Sequence, residues 1–269
     1  MMIKPWAAEA LNTAPNSANE IHGDSMAKAF GFEGGLVPGV TVSAYLIHPA
    51  IEHWGMDWLD SGAARCRIVS PLYDGEQFTV DVDGVTDNQF ASTLTRPNGT
   101  VSAHGEVSLP EIAPSAPSRR GDPLVEHDYV APPATFEVWH QLQENGCHAF
   151  RYTWDDQSDL YLRDVAQMPS LLQPKQQGFA NMSFMLGCSN WILAGNAYMN
   201  PWVHLETRSQ NFQRVPKNTS IIAEMAVKDS FEKKGHQFID VDVDLYDEKD
   251  NSCLMTTMLR AIFKLRGAD

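Results

Sequence analysis

Hydrophobic and polar residues alternate along much of this chain, and the order of the resulting elements occurs twice. Ile239, Val241, Val243 and Leu245 alternate with Asp240, Asp242 and Asp244, the period of two expected of a strand with one buried face. Phe78, Val80 and Val82 alternate in the same way with Thr79, Asp81 and Asp83. Strands are expected at 76–85, 88–96 and 99–109, and again at 219–229, 236–247 and 252–265. Asn98-Gly99 is a tight-turn dipeptide suited to a hairpin between the second and third of these. Two segments are apolar instead, from Gly39 to Trp54 and from Met182 to Ala197. In the first, Val42, Tyr45 and Leu46 have helical spacing, and Pro49 is expected to end the helix or start a new turn, since proline lacks the donor a helix interior needs.

Each half therefore reads as an apolar helix, a strand, a Pro-containing turn and three long strands. The strands that follow the helices start near Arg65 and Arg208. Residue identity between the halves is low, so the repeat is one of pattern. Between them lies a stretch with Pro110, Pro114, Pro117, Pro123, Pro132 and Pro133. Repeated proline favours extended backbone, and this segment is expected to join two units without belonging to either core. The predicted organisation is 1–109, a linker at 110–135, and 136–269, of α+β class.

Composition narrows the chemistry. The formal charge of −14 excludes general affinity for nucleic acid or anionic membranes. No window approaches the ~20 apolar residues that cross a bilayer, and the first sixteen residues carry one Lys and no continuous apolar run, so no signal peptide is expected. Cys66, Cys147, Cys188 and Cys253 are scattered and read as reduced structural thiols, which with the rest gives a cytoplasmic protein. His48, His53, His140, His148, His204 and His236 have no metal-binding spacing. The Asp240, Asp242, Asp244 comb lacks the glycine turn of a calcium loop and reads as a solvated strand face. There is no phosphate-binding glycine loop or nucleotide fingerprint, so neither metal nor organic cofactor is expected.

The most informative run is 19–40, where His22 precedes Asp24 by two residues, Gly31-Phe32 follows a short alanine-rich turn, and Pro38-Gly39 opens the first apolar segment. It resembles the signature of MaoC-like (R)-specific enoyl-CoA hydratases, specifically over about 16–76 and only in topology after about 135. The resemblance implies a double hot-dog: two antiparallel sheets, each wrapped on a central helix, packed as an internal pseudo-dimer with the sheets side by side. A higher homo-oligomer stays open. It further implies a lyase that hydrates or dehydrates the 2,3-bond of an acyl-CoA.

Residue by residue, His22 matches the family's catalytic histidine, Asn19 the Asn between the catalytic pair, and Gly39 the helix-start glycine whose amide holds the thioester oxygen. The family's aspartate, five residues before the histidine, is Ser17 here. A serine can position water but cannot act as a carboxylate base. Asp24 is a candidate substitute, and it is also a good N-cap for a helix starting there. Gly31, Phe32 and Val40 are candidate substrate contacts, and Arg65 and Arg67 candidate ligands for the coenzyme phosphates, alongside Arg119, Arg120, Arg208, Arg214 and Lys217. Asn181 and Ser183 stand where a second pocket would open, and Met182, Met185, Trp191, Met199 and Trp202 read as core or as an acyl tunnel. Two other readings remain at this stage: a hot-dog thioesterase using Glu33 or Glu52, or a non-catalytic acyl-CoA binding protein that has lost the acid.

Overall fold

Strand alternation is realised in a single sheet. The computed structural model describes residues 3–112, 114–155 and 160–267. The first half contains β1 (Trp6–Glu9), α1 (Asp24–Ala29), α2 (Gly39–Trp54), α3 (Met56–Ser61), β2 (Ala63–Ile68), β3 (Gln77–Asp83), β4 (Gln89–Thr95) and β5 (Val101–Ser108). The second contains α4 (Phe136–Asn145), β6 (Phe150–Thr153), α5 (Met182–Asn196), β7 (Val203–Asn211), β8 (Ser220–Lys233), β9 (His236–Asp247) and β10 (Cys253–Lys264). The strand order is β1-β3-β4-β5-β2-β7-β10-β9-β8-β6. Read inward from either end it is the same, so each half has one topology and the halves meet at β2 and β7.

This corrects the expectation of two separate sheets. β2 and β7 pair antiparallel, with Ala63 opposite Gln210, Arg65 opposite Arg208 and Arg67 opposite Glu206. Each half taken alone would leave an edge of unpaired N–H and C=O groups at this strand, and pairing the two edges satisfies both. The result is one continuous ten-stranded antiparallel sheet.

Helices α2 and α5 lie on one face of it and pack against each other, with Thr41 Oγ1 2.9 Å from Ser183 Oγ between them. Val40 to Ile51 are all buried, because the helix has sheet around it and α5 beside it. A helix buried all round has no polar stripe. The same burial explains why Pro49 does not end it: α2 continues through the proline to Trp54, and Tyr45, Leu46, Ile47, Ala50 and Ile51 remain packed on either side. That packing offsets the one hydrogen bond the proline removes.

On β9, Ile239, Val241, Val243 and Leu245 point at the helices, and the aspartates point outward. All three are paired with cations: Asp240 with Arg260 at 2.6 Å, Asp242 with Lys228 at 3.2 Å and Asp244 with Arg120 at 2.8 Å. The proline-rich segment is a strap laid on this outer face. Glu224 of β8 is fully buried beneath it and accepts from Arg119 Nε (3.0 Å) and from the backbone N–H groups of Arg120, Gly121 and Asp122 (2.7, 2.9 and 3.0 Å). Tyr246 donates its hydroxyl to Ser118 O at 3.2 Å. The strap thus belongs to the second half's packing, because a buried carboxylate needs this many donors to stay satisfied.

Candidate active site

The segment before α2 is held in place from both halves. Asn19 is buried, donates from Nδ2 to Trp202 O (3.0 Å) and accepts at Oδ1 from Trp202 N (3.1 Å), a reciprocal pair with the backbone of one residue of the second half. Glu20 and Asn200 exchange a similar pair at 3.0 Å each. One turn of 3-10 helix, Glu20–His22, then brings the His22 ring inward. Its carbonyl accepts from Asn12 Nδ2 at 2.8 Å. Gly35 passes so close behind that a Cβ there would sit 2.2 Å from His22 O.

The His22 ring has a defined tautomer. Nδ1 lies 2.7 Å from Leu36 O, and a carbonyl can only accept, so Nδ1 carries the proton and Nε2 is left as a base. Asn19 Nδ2 approaches Nε2 at 3.5 Å. Burial pushes the His22 pKa below its ordinary value, opposed in part by the Leu36 bond. The imidazole is therefore neutral at pH 7 and able to take a proton.

Facing it is the start of α2. The N–H groups of Gly39 and Val40 make no backbone hydrogen bond among the described residues, and the first donor used is Thr41 N, to Pro38 O at 2.9 Å. Free amides at the positive end of a sixteen-residue helix favour a developing negative charge. His204, at the start of β7, packs closely on Gly39: a Cβ at position 39 would be 2.6 Å from His204 Cδ2. Asn190 of α5 presents Oδ1 to His204 Nδ1 at 3.0 Å, which puts the proton on Nδ1. His204 Nε2 is buried with no partner. Burial, and secondarily the neighbouring His22, push this imidazole down to about 3.

Two cavities meet at these residues. The smaller, of about 140 Å³, is lined by His22, Gly39, His204 and Asn190 and otherwise mainly by apolar side chains such as Phe32, Leu36 and Val42. The larger, of about 320 Å³, shares His22, Asn190 and Trp202 and adds Ser17, Val40, Ser183 and the exposed Trp191. Among the described residues, no Asp, Glu, Lys or Arg lines either.

The remaining expected residues are distributed as follows. Ser17 lines the larger cavity, but its hydroxyl donates to Asn19 O at 3.0 Å and holds the loop. Asp24 lines neither cavity. It is the first residue of α1 and not its N-cap, which is Gly23, and its carboxylate is exposed, accepting from Gly35 N at 2.9 Å and pairing with Lys28 at 3.1 Å. Gly31 lies outside the site at the end of α1, with φ +83°, where glycine avoids the strain a side chain would bring. Arg65 and Arg67 are on the wrong side of the sheet for a ligand bound beneath the helices: Ala64 and Cys66 of β2 point toward α2, so their neighbours point outward. Arg65 there bonds Glu206 at 2.8 Å. Ser183 does not open a second pocket but lines the His22 cavity, and Asn181 caps α5 by accepting from Phe184 N at 3.0 Å.

His204 and Asn190 were not singled out from the sequence. The signal for Asn190 was a polar side chain in the middle of an otherwise apolar helix. His204 carried none, since nothing local ties Val203-His204-Leu205 to a residue 182 positions earlier.

No protein-family model matches this sequence, and no curated protein matches it. The fold, in contrast, has many counterparts among solved structures. A Mycobacterium tuberculosis protein with a double hotdog fold aligns over 97% of this chain and 96% of its own, at 10% identity and a TM-score of 0.59. A candidate MaoC-domain dehydratase from Chloroflexus aurantiacus aligns over 99% and 96%, at 8% identity and a TM-score of 0.58. A candidate thioesterase II from Thermobifida fusca aligns over 97% and 92%, at 12% identity and a TM-score of 0.51. What is common to them at these identities is architecture. Nearly the whole of this chain is matched in each case, and it has the double hot-dog fold.

Proposed function

We propose that this protein acts on an acyl thioester, adding water across the 2,3-bond of an enoyl thioester or removing it from the 3-hydroxyacyl form. One observation carries the reading: a histidine base and a free helix-start amide line the same largely apolar cavity. Hydration needs a base for water, a donor for the enolate oxygen and an apolar seat for the acyl chain. His22 Nε2 takes the proton as the water oxygen bonds to C3. The π electrons move onto the thioester oxygen at the Gly39 amide. C2 then takes the proton from the His22 imidazolium, and the neutral base is restored.

The acyl chain lies in the smaller, mainly apolar cavity and the thioester arm runs into the larger one. Since no cation among the described residues lines either, recognition falls on the acyl thioester itself, and coenzyme A and a carrier-protein arm are both accommodated. The fold-level likeness to a candidate dehydratase is consistent with this chemistry. A thioesterase reading is weaker, because Glu33 and Glu52 line neither cavity. A second reading, a non-catalytic acyl-thioester binder, is favoured because no carboxylate among the described residues lines the cavities at His22.

Incubation with crotonyl-CoA and longer enoyl-CoAs separates these readings. Loss of enoyl absorbance without free thiol supports the hydratase, and its abolition in His22→Ala ties it to this site. Thiol release would indicate a thioesterase. Binding without either would leave the binder.

A further inference from the structure

Ser17 supplies no carboxylate, and its hydroxyl is turned to Asn19 O, yet the structure contains another acceptor that no motif announces. His204 comes from the other half, is 6% exposed, and has its Nδ1 proton engaged by Asn190 Oδ1 at 3.0 Å. Its Nε2 is therefore a lone pair, buried and without a partner. Few buried polar atoms are left in this condition, and those that are call for an explanation. The other unpartnered buried atoms among the described residues, His148 Nδ1 included, line neither cavity at His22. His204 Nε2 is the one acceptor among them on a ring that lines the His22 cavity.

The cavity thus holds two imidazoles, each with its proton fixed on Nδ1 by an outside partner; His22 Nε2 has only the long 3.5 Å approach of Asn19 Nδ2, and His204 Nε2 has no partner. Two acceptors cannot bond to each other. They are satisfied by a molecule with two donor hydrogens between them, and water is the smallest that fits beside an acyl chain. We propose that His204 is a catalytic residue that accepts the non-reacting hydrogen of the attacking water, replacing from the second half what the first half lost at Ser17. This rests on the hydratase reading above and adds the group that aims the water. One O–H of the water breaks toward His22 Nε2, and the other stays bonded to His204 Nε2 and is retained in the product hydroxyl. His204 gains and loses no proton. Its burial suits that role, since an imidazole this hard to protonate remains an acceptor throughout.

Asn190 is then a positioning residue. By accepting at Oδ1 it keeps the His204 proton off Nε2, as second partners fix histidine tautomers elsewhere. The clamp between Asn19 and Trp202 ties the two rings together, because Asn19 lies three residues before His22 and Trp202 two residues before His204.

The test is a comparison of His204→Leu with His204→Gln in enoyl-CoA hydration, with thermal melts of each. Gln returns an acceptor oxygen close to the reach of Nε2. His204→Leu should lower kcat by about 10²-fold with KM little changed, in the range of a positioned acid–base group. His204→Gln should recover at least about a tenth of wild-type kcat, on the scale of a regained hydrogen bond. Wild-type kcat in a folded His204→Leu, or equal losses in both variants, overturns the role of His204 while leaving the hydratase reading intact. No hydration by the wild type overturns that reading, and this proposal with it. If His204→Leu does not fold, ¹⁵N-histidine NMR of the wild-type protein decides: an unprotonated His204 Nε2 supports the role, and a proton there refutes it.

Discussion

Gly39→Ala is the most direct probe of how closely the two halves approach, because alanine keeps the amide donor and adds only a methyl group. That Cβ would stand 2.6 Å from His204 Cδ2, 2.8 Å from Cγ and 3.0 Å from Cβ. Carbon atoms in contact prefer about 3.5–4.0 Å, so the ring or the helix start must retreat by roughly 1 Å. His204 has little room, with Asn190 on one side and β7 behind it. Overpacking of this kind costs about 1–3 kcal/mol, and the gain in helix propensity from Gly to Ala returns up to about 1 kcal/mol. A net loss of about 1 kcal/mol is expected in urea unfolding. The sharper measurement is the coupling with His204→Ala, which removes the ring the methyl group strikes. In that background Gly39→Ala should become neutral or stabilising, a coupling of at least about 1 kcal/mol in favour of the double variant. Activity in Gly39→Ala should fall by about 10²-fold, as expected for a displacement of 1 Å at a reacting group. Additive stabilities, with no rescue in the double variant, would show that these atoms do not meet and would refute the geometry of the site.

Three further outcomes follow from other parts of the molecule. Asn19→Leu leaves the Trp202 N–H and C=O unpaired and should destabilise by about 2–3 kcal/mol in chemical unfolding, with hydration activity lost alongside; a stability within 0.5 kcal/mol of wild type would refute the clamp. Glu224→Ala removes the acceptor for Arg119, Arg120, Gly121 and Asp122 and should cost about 3–5 kcal/mol, while trypsin cleaves newly at Arg119 and Arg120; unchanged protection of these bonds in a folded variant would refute the strap. Burial holds His48 down to about 4 and His204 to about 3, so both stay neutral when folded, and stability should be level above pH 6.5 and decline as pH falls below it. Each contributes about 2 kcal/mol of loss by pH 5, and a urea midpoint unchanged between pH 7 and 5 would contradict their burial. The same sign applies to His22: hydration should persist below pH 6.5 before its acid limb appears.

Much of the architecture was legible because it depends on local periodicity. The alternation at 239–245 and the apolar segments at 39–54 and 182–197 sufficed to find strands, helices and their tandem order. The join was less visible, since edge pairing between β2 and β7 leaves no mark in either strand. Alternation could have settled Arg65 and Arg67 earlier, because Ala64 and Cys66 between them are the inward set. Glu224 reads as an outward strand charge, and only the three-dimensional path of the strap buries it. At the site, His22 and Gly39 are near in sequence and carried a motif. His204 and Asn190 enter through the seam, so their part depends on tertiary structure alone. Asp24 attracted notice by standing beside His22, but the chain turns there and gives its carboxylate to Gly35 and Lys28.

The β2–β7 seam also changes what protein concentration can do. In an assembly of separate chains, an edge-to-edge joint of this kind dissociates on dilution, and its melting temperature depends on how much protein is present. Here both partners of the joint belong to one polypeptide, and closing it is a first-order event governed by the effective concentration along the tether. The site that straddles the seam, with His22 on one side and His204 on the other, is therefore as complete in a single dilute molecule as in a concentrated solution. The sheet also ends on two strands of only four residues each, β1 and β6, which offer little template for recruiting a further chain.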